Sequence, residues 1–162
     1  MLGTSDTTFT PDRICNRAQV AVMLYRYAVW AEMDTTQGGM AIREFEDYAD
    51  IPEYALEPMG WSVNAGILVG SDNRLTPNAD CTRAQIAAIL WRYAGSPSAE
   101  AGQDFADESS IPAYASAAVD WARANGVVNG TTGNRFDPNG NATRAQVATI
   151  LRNYLTMTPV TP

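Results

Sequence analysis

Thr82-Arg83-Ala84-Gln85, followed by Ile86, Ile89, Leu90 and Tyr93, is a pattern that this chain writes three times. The other copies are Asn16-Arg17-Ala18-Gln19 with Val20, Met23, Leu24 and Tyr27, and Thr143-Arg144-Ala145-Gln146 with Val147, Ile150, Leu151 and Tyr154. Each Arg stands six residues after a proline, Pro11, Pro77 or Pro138. A Thr N-cap with Gln three residues on is the capping box, in which each side chain satisfies the other residue's backbone N–H; Asn16 with Gln19 is a variant of it. The apolar positions after each Arg recur at helical period, so every copy predicts a helix with one buried face.

Outward from these helices, Phe45-Glu46-Asp47 and Phe105-Ala106-Asp107 open two longer units. Ile51-Pro52, Tyr54-Ala55, Trp61, Gly66 and Gly70 follow in one, and Ile111-Pro112, Tyr114-Ala115, Trp121, Gly126 and Gly130 at matching offsets in the other. A loop one residue longer in the second copy then leads to Leu75-Thr76-Pro77 or Phe136-Asp137-Pro138. Gly3 aligns with Gly130 and Phe9-Thr10-Pro11 with Phe136-Asp137-Pro138, but no Phe-x-Asp segment precedes them, which makes roughly two and a half repeats. Pro58 excludes a helix running on from Ile51 yet is tolerated in a first turn. With Ser116 as an N-cap, the earlier helix of each unit is expected to begin near residues 56 and 116 and to end at Gly66 and Gly126. Val29 to Glu44 and Gly95 to Asp104 read as loops joining units.

A chain of 162 residues can bury about two-thirds of its unfolded surface, enough for a core without staples. There is no His, and all 11 basic residues are Arg, so the usual general base is missing and an enzyme is disfavoured. Asp47 with Asp50, or Asp104 with Asp107, offers a carboxylate pair of the kind that cleaves glycosides, but Asp at such unit starts also caps turns. A net charge of −7 without a basic cluster argues against nucleic acid. No stretch approaches the roughly 20 apolar residues that span a bilayer, so no membrane insertion is expected. Met1 to Asp6 has neither the charged nor the apolar region of a secretion signal; in a protein working outside the cell it would begin a mature form or an excised piece. Cys15 and Cys81 share one repeat position, held by Ala142 in the third copy. They read as small buried hydrophobes, with a disulfide left open by the sequence and a metal site short of ligands. No cofactor and no metal are expected.

The order Phe-x-Asp, Trp-containing helix, Gly, aromatic-x-Pro and Thr-Arg-Ala-Gln, running from Gly3 to Tyr154, resembles the S-layer homology (SLH) family. The resemblance implies an all-α, pseudo-threefold domain: the Thr-Arg-Ala-Gln helices form a central three-helix bundle with peripheral helix-loop arms, here with the first repeat truncated. The repeats then run 1–44 (partial, with its connector), 45–104 and 105–155, and 156–162 is a tail. The resemblance also implies an extracellular place on the bacterial cell surface, in the cell wall or S-layer. There such domains hold proteins non-covalently by binding a secondary cell-wall polysaccharide, often pyruvylated.

Arg83 would be the first helical residue, where the macrodipole disfavours a cation by about a few tenths of a kcal/mol, yet all copies keep Arg there. Free N–H groups at a helix start attract anions, and a guanidinium beside them grips a carboxylate in bidentate fashion. Arg83 and Arg144 are therefore the leading ligand-binding candidates, with Arg17 a third; the alternative is pairing with the chain's own Asp47 and Asp107. Trp61 and Trp121 either offer a flat face to a sugar or belong to the core. Gly70 and Gly130 either end a turn or let backbone approach a ligand. A second functional class is an interaction or assembly module, in which another protein chain or a domain-swapped copy covers the face left by the incomplete first repeat.

Overall fold

The computed structural model describes residues 7–98 and 104–157. The alignment of Gly3, the start of the chain, most of the tail and part of the 95–104 connector lie outside them. The described residues form five α-helices: α1 (Arg17–Trp30), α2 (Leu56–Asn64), α3 (Arg83–Tyr93), α4 (Ser116–Ala124) and α5 (Arg144–Met157). Short 3-10 turns occur at Ala41–Glu44, Tyr48–Asp50, Glu53–Ala55, Glu108–Ser110 and Ala113–Ala115. Extended pairing among the described residues is limited to isolated bridges such as Asn16 with Asp80 and Thr82 with Asn141, so the class is all-α. The chain divides into two compact units. One is Cys15–Asp80, with α1 and α2; the other joins Met1–Ile14 to Cys81–Pro162 and holds α3, α4 and α5.

The capping boxes are present as read. Asn16 and Thr82 accept from the N–H of Gln19 and Gln85, whose side chains accept in return from the cap N–H. Thr143 and Gln146 exchange the same pair at 3.3 and 3.1 Å. The next two N–H groups of these three helices are taken by the Leu75-Thr76-Pro77, Phe136-Asp137-Pro138 and Phe9-Thr10-Pro11 loops. Arg17 and Ala18 donate to the carbonyls of Ala79 and Pro77, Arg83 and Ala84 to Gly140 and Pro138, and Arg144 and Ala145 to Arg13 and Pro11. Every donor that a helix start leaves without an intrahelical partner is thus satisfied by protein.

Helices α2 and α4 begin at residues 56 and 116, but Ser116 is not the cap. It has helical φ and ψ of −53° and −61°, and Ala115 precedes it without a side-chain bond. The 3-10 turn Ala113–Ala115 runs straight into α4, so the chain is already coiled there and needs no Ser oxygen. Both helices stop at a left-handed glycine, Gly66 at φ 68° and Gly126 at φ 67°. Ile67 donates to Ser62 and Gly66 to Val63, the paired bonds of a Schellman end, and Val127 to Ala122 with Gly126 to Arg123 repeat them. Helix α1 packs on α2 and α3 on α4. The stripe is buried at Val20, Leu24, Ile86, Ile89, Leu90, Val147, Ile150 and Tyr154. Cys15 and Cys81 are fully buried thiols.

Candidate functional site

Phe45 and Phe105 seat their rings against Gly70 and Gly130. A Cβ at Gly130 would lie 3.2 Å from Phe105 Cε1, and one at Gly70 would overlap Phe45 Cε1 outright. Neither glycine has a positive φ, so the requirement is space for the ring and not a turn. Two residues after each Phe, the Asp turns inward. Asp47 accepts from Leu75 N at 2.8 Å and Thr76 N at 2.7 Å; Asp107 accepts from Phe136 N at 2.7 Å and Asp137 N at 2.8 Å. Burial pushes both carboxyls up, but these backbone bonds outweigh it, and both pKa values end below the ordinary aspartate range.

The repeated arginines hold the same segments from the other side. Arg17 Nε donates to Leu75 O at 2.8 Å, Arg83 Nε to Phe136 O at 2.6 Å and Arg144 Nε to Phe9 O at 2.9 Å. Arg17 also donates from Nη2 to Val69 O at 3.0 Å, beside Gly70. The Arg83 and Arg144 guanidinium groups lie 5.2 and 4.9 Å from the ring centres of Phe136 and Phe9. Arg17, Arg83 and Arg144 are only 7, 7 and 5% exposed. Burial lowers the Arg83 pKa from its ordinary value, opposed by the charges of Asp137 and Asp107. Arg17 with Asp47, and Arg83 with Asp107, each form a shared clamp on one loop. The carboxylate takes the N–H groups of a dipeptide and the guanidinium takes its carbonyl.

The structure thus brings Arg83, Phe136, Phe105 and Gly130 into one cluster, and Arg17 next to Gly70. It does not bring the tryptophans there. Trp61 packs edge-on against Tyr25 at 5.7 Å and donates to Asp34 O, while Trp121 lies 6.2 Å from Tyr154, both in the core. The aromatic faces open to solvent are instead Tyr54 and Tyr114, 56 and 51% exposed. Their signal was available in Ile-Pro-x-Tyr-Ala: the Ala is fully buried, so the adjacent Tyr on that tight turn is turned outward. Near the start of α2, a cleft of about 340 Å³ is lined by Thr35, Thr36, Gln37, Arg43, Tyr48 and Glu57, among others. No group of acidic and Cys side chains able to hold a metal occurs among the described residues, and no helix there is long and apolar enough to cross a membrane.

Twice-repeated Phe-Asp units, each feeding a loop clamped on an Arg-led helix, define a helical repeat domain. The chain belongs to the S-layer homology domain family, which matches residues 44–87 and 104–148. It is 32% identical to an amylopullulanase of Thermoanaerobacterium thermosulfurigenes and 32% identical to an endoglucanase of Bacillus sp. (strain KSM-635). It is 28% identical to the exoglucanase XynX of Acetivibrio thermocellus. Each match covers 94% of this chain but only 8, 16 and 14% of the respective relative. S-layer homology domains are cell-surface anchoring modules of bacteria that bind cell-wall polysaccharide.

Proposed function

We propose that this chain anchors a protein to the bacterial cell wall by binding an anionic, pyruvylated secondary polysaccharide, with Arg17, Arg83 and Arg144 donating hydrogen bonds to its carboxylates. The observation that carries this reading is the repeated pose of the guanidinium. In each copy the Nε bond to a loop carbonyl fixes the plane of the guanidinium. A donor held in place before the ligand arrives loses little entropy on binding. The helix N–H groups take no part, since loops and capping side chains already occupy them; the anion meets the Nη edge alone. Tyr54 and Tyr114 are better stacking surfaces for a sugar than Trp61 and Trp121, while Gly70 and Gly130 act through the rings they admit.

The repeats at 45–104 and 105–155, with 1–44 as a partial first, are proposed to stand in pseudo-threefold order around the three Arg-led helices. In support, Arg17 of the first repeat grips the loop of the second, Arg83 of the second that of the third, and Arg144 of the third that of the first. Calorimetric titration with purified pyruvylated polysaccharide, and with the same polymer after mild acid has removed its ketals, tests the binding claim. Selective binding of the intact polymer is expected; equal binding of both removes the carboxylate mechanism.

A second reading, a module that recruits another protein chain, has one observation in its favour. Val29 and Trp30 at the end of α1, with Met33 and Met40 after it, are exposed. Light scattering that shows a monomer over a wide concentration range would count against self-assembly through them.

A further inference from the structure

The connector between α1 and the second repeat is built as a wall against α2. Trp61 Nε1 donates to Asp34 O at 3.3 Å, and Asp34 Oδ1 accepts from Thr36 N and Thr36 Oγ1 at 3.0 and 2.6 Å. A few residues on, two glycine backbones meet. A Cβ at Gly60 would lie 2.8 Å from Gly38 O, and one at Gly38, where φ is 128°, would overlap the Gly60 carbonyl. Asp120 holds the Gly60 position in the third repeat, where its side chain excludes so close an approach of backbone. The cleft of about 340 Å³ lies along this wall, the start of α2 and the turn at Tyr48. It falls at the lower end of the roughly 300–1,000 Å³ of small-molecule sites. Of its lining, Tyr48, Leu56 and Glu57 become Glu108, Ser116 and Ala117 in the third repeat, so the cleft belongs to the second repeat and not to the repeat pattern.

We infer that this cleft is a second binding site, for an uncharged pyranose of a glycan chain, separate from the arginine clamps. Thr36, Gln37, Arg43 and Glu57 line it and are open to solvent, while Ile42 is buried and Tyr48 and Leu56 are half-buried. The Arg43 guanidinium lies 5.9 Å from the centre of the Tyr48 ring. Arg43 and Glu57 set one positive charge against one negative, so a ligand of either sign meets a like charge there and a sugar meets none. A sugar hydroxyl both donates and accepts, which suits a lining of guanidinium and amide donors, carboxylate and amide acceptors and threonine hydroxyls. The apolar C–H face of a pyranose suits Tyr48, Ile42 and Leu56. Tyr25 of α1, its pKa raised by burial and by its hydrogen bond to Glu57, also bonds Thr35, so its hydroxyl ties the connector to α2. Walls fixed in advance lose little freedom on binding. The cleft shares no residue with the arginine clamps, so this site and the carboxylate reading stand or fall separately.

The test is an amide-resolved NMR titration of the whole chain with methyl N-acetyl-β-glucosaminide, maltotriose and cellotriose, an uncharged aminosugar, an α-linked glucan and a β-linked glucan. Glycerol is the control for any polyol, and glycylglycine for a ligand that matches both charges. Saturable shifts at Thr35, Thr36, Gln37 and Arg43, with a dissociation constant of about 1–10 mM, are expected for at least one sugar, and the sugar that responds names the class. The signals of Arg83 and Arg144 should stay unmoved. Arg43→Ala changes an exposed side chain, and Tyr48→Glu copies the Glu108 that the third repeat carries at this position. Each is expected to weaken binding about tenfold while the rest of the spectrum keeps its dispersion. No shift with any of the sugars at about 50 mM, shifts that glycerol or glycylglycine reproduces, or binding undiminished in both variants would overturn the inference.

Discussion

Asp47 and Arg17 hold opposite sides of one dipeptide, Leu75-Thr76, and the conformation they hold is a costly one. Thr76 has φ 47° and precedes a proline; a β-branched residue in the left-handed region is strained by about 1–3 kcal/mol. The strain persists because both N–H groups and the carbonyl of the dipeptide are committed. Asp47→Ala leaves those N–H groups without their acceptor and is expected to cost about 3 kcal/mol in urea unfolding. Acidification should reproduce part of this loss. The folded pKa values of Asp47 and Asp107 lie below the unfolded value, so their stabilisation is complete above the unfolded pKa of about 3.9 and is lost as pH falls through the folded values. The stability gap between the wild type and an Asp47→Asn, Asp107→Asn double variant should therefore narrow from pH 7 to pH 3. A constant gap would mean that the carboxylates contribute by shape alone. The ring sites make a graded comparison. Gly70→Ala drives a methyl into Phe45 and sits 2.9 Å from Arg74 O, whereas Gly130→Ala needs a shift of only tenths of an ångström from Phe105. Overpacking of about 1–3 kcal/mol is expected at Gly70 and less at Gly130, read from thermal melts of the two variants.

At the scale of elements, the helix ends carry the information. Removal of the Thr82 hydroxyl in Thr82→Ala should cost about 1 kcal/mol, because it frees the Gln85 N–H and undoes the reciprocal bond. Helix α1 ends in the same Schellman pairing as α2, Glu32 to Val29 and Met33 to Ala28, but with Glu32 at φ 55° where α2, α3 and α4 use Gly66, Gly95 and Gly126. Glu32→Gly is therefore expected to stabilise the protein by about 0.5–1 kcal/mol, a gain visible in the urea midpoint. These ends explain what could be read in advance. The starts of α1, α3 and α5, and the glycine stops of α2 and α4, rest on local side-chain chemistry and were legible. The 3-10 turn that feeds α4 has no side-chain marker, so Ser116 looked like a cap when it was already inside the helix. The arginine clamp was illegible for another reason: Arg83 and Phe136 are 53 residues apart, and only folding reveals that the loop carbonyl, not Asp107, is the partner. The same holds for Trp61 and Trp121, whose spacing fits either a core or a sugar face until Tyr25 and Tyr154 are seen against them.

For the whole molecule, the ligand proposed above sets a charge conflict: a chain of net charge −7 has to capture an anionic polymer. Two electrostatic ranges are involved and salt separates them. The repulsion between net charges acts over a Debye length, about 30 Å at 0.01 M ionic strength and about 8 Å at 0.15 M. The contact between a carboxylate and a guanidinium that is 5 to 7% exposed acts at hydrogen-bond distance, where mobile ions penetrate poorly. Raising salt from 0.01 to 0.15 M should then remove more repulsion than attraction. The expected result is an association rate for pyruvylated polysaccharide that increases several-fold over that range, with a dissociation rate that changes little. A basic surface binding the same polymer would show the reverse. Biosensor kinetics on immobilised polysaccharide decide between them: a monotonic fall in association rate with salt would mean that exposed arginines such as Arg13, Arg26 or Arg152 capture the polymer, and that the clamped guanidinium groups serve the fold alone.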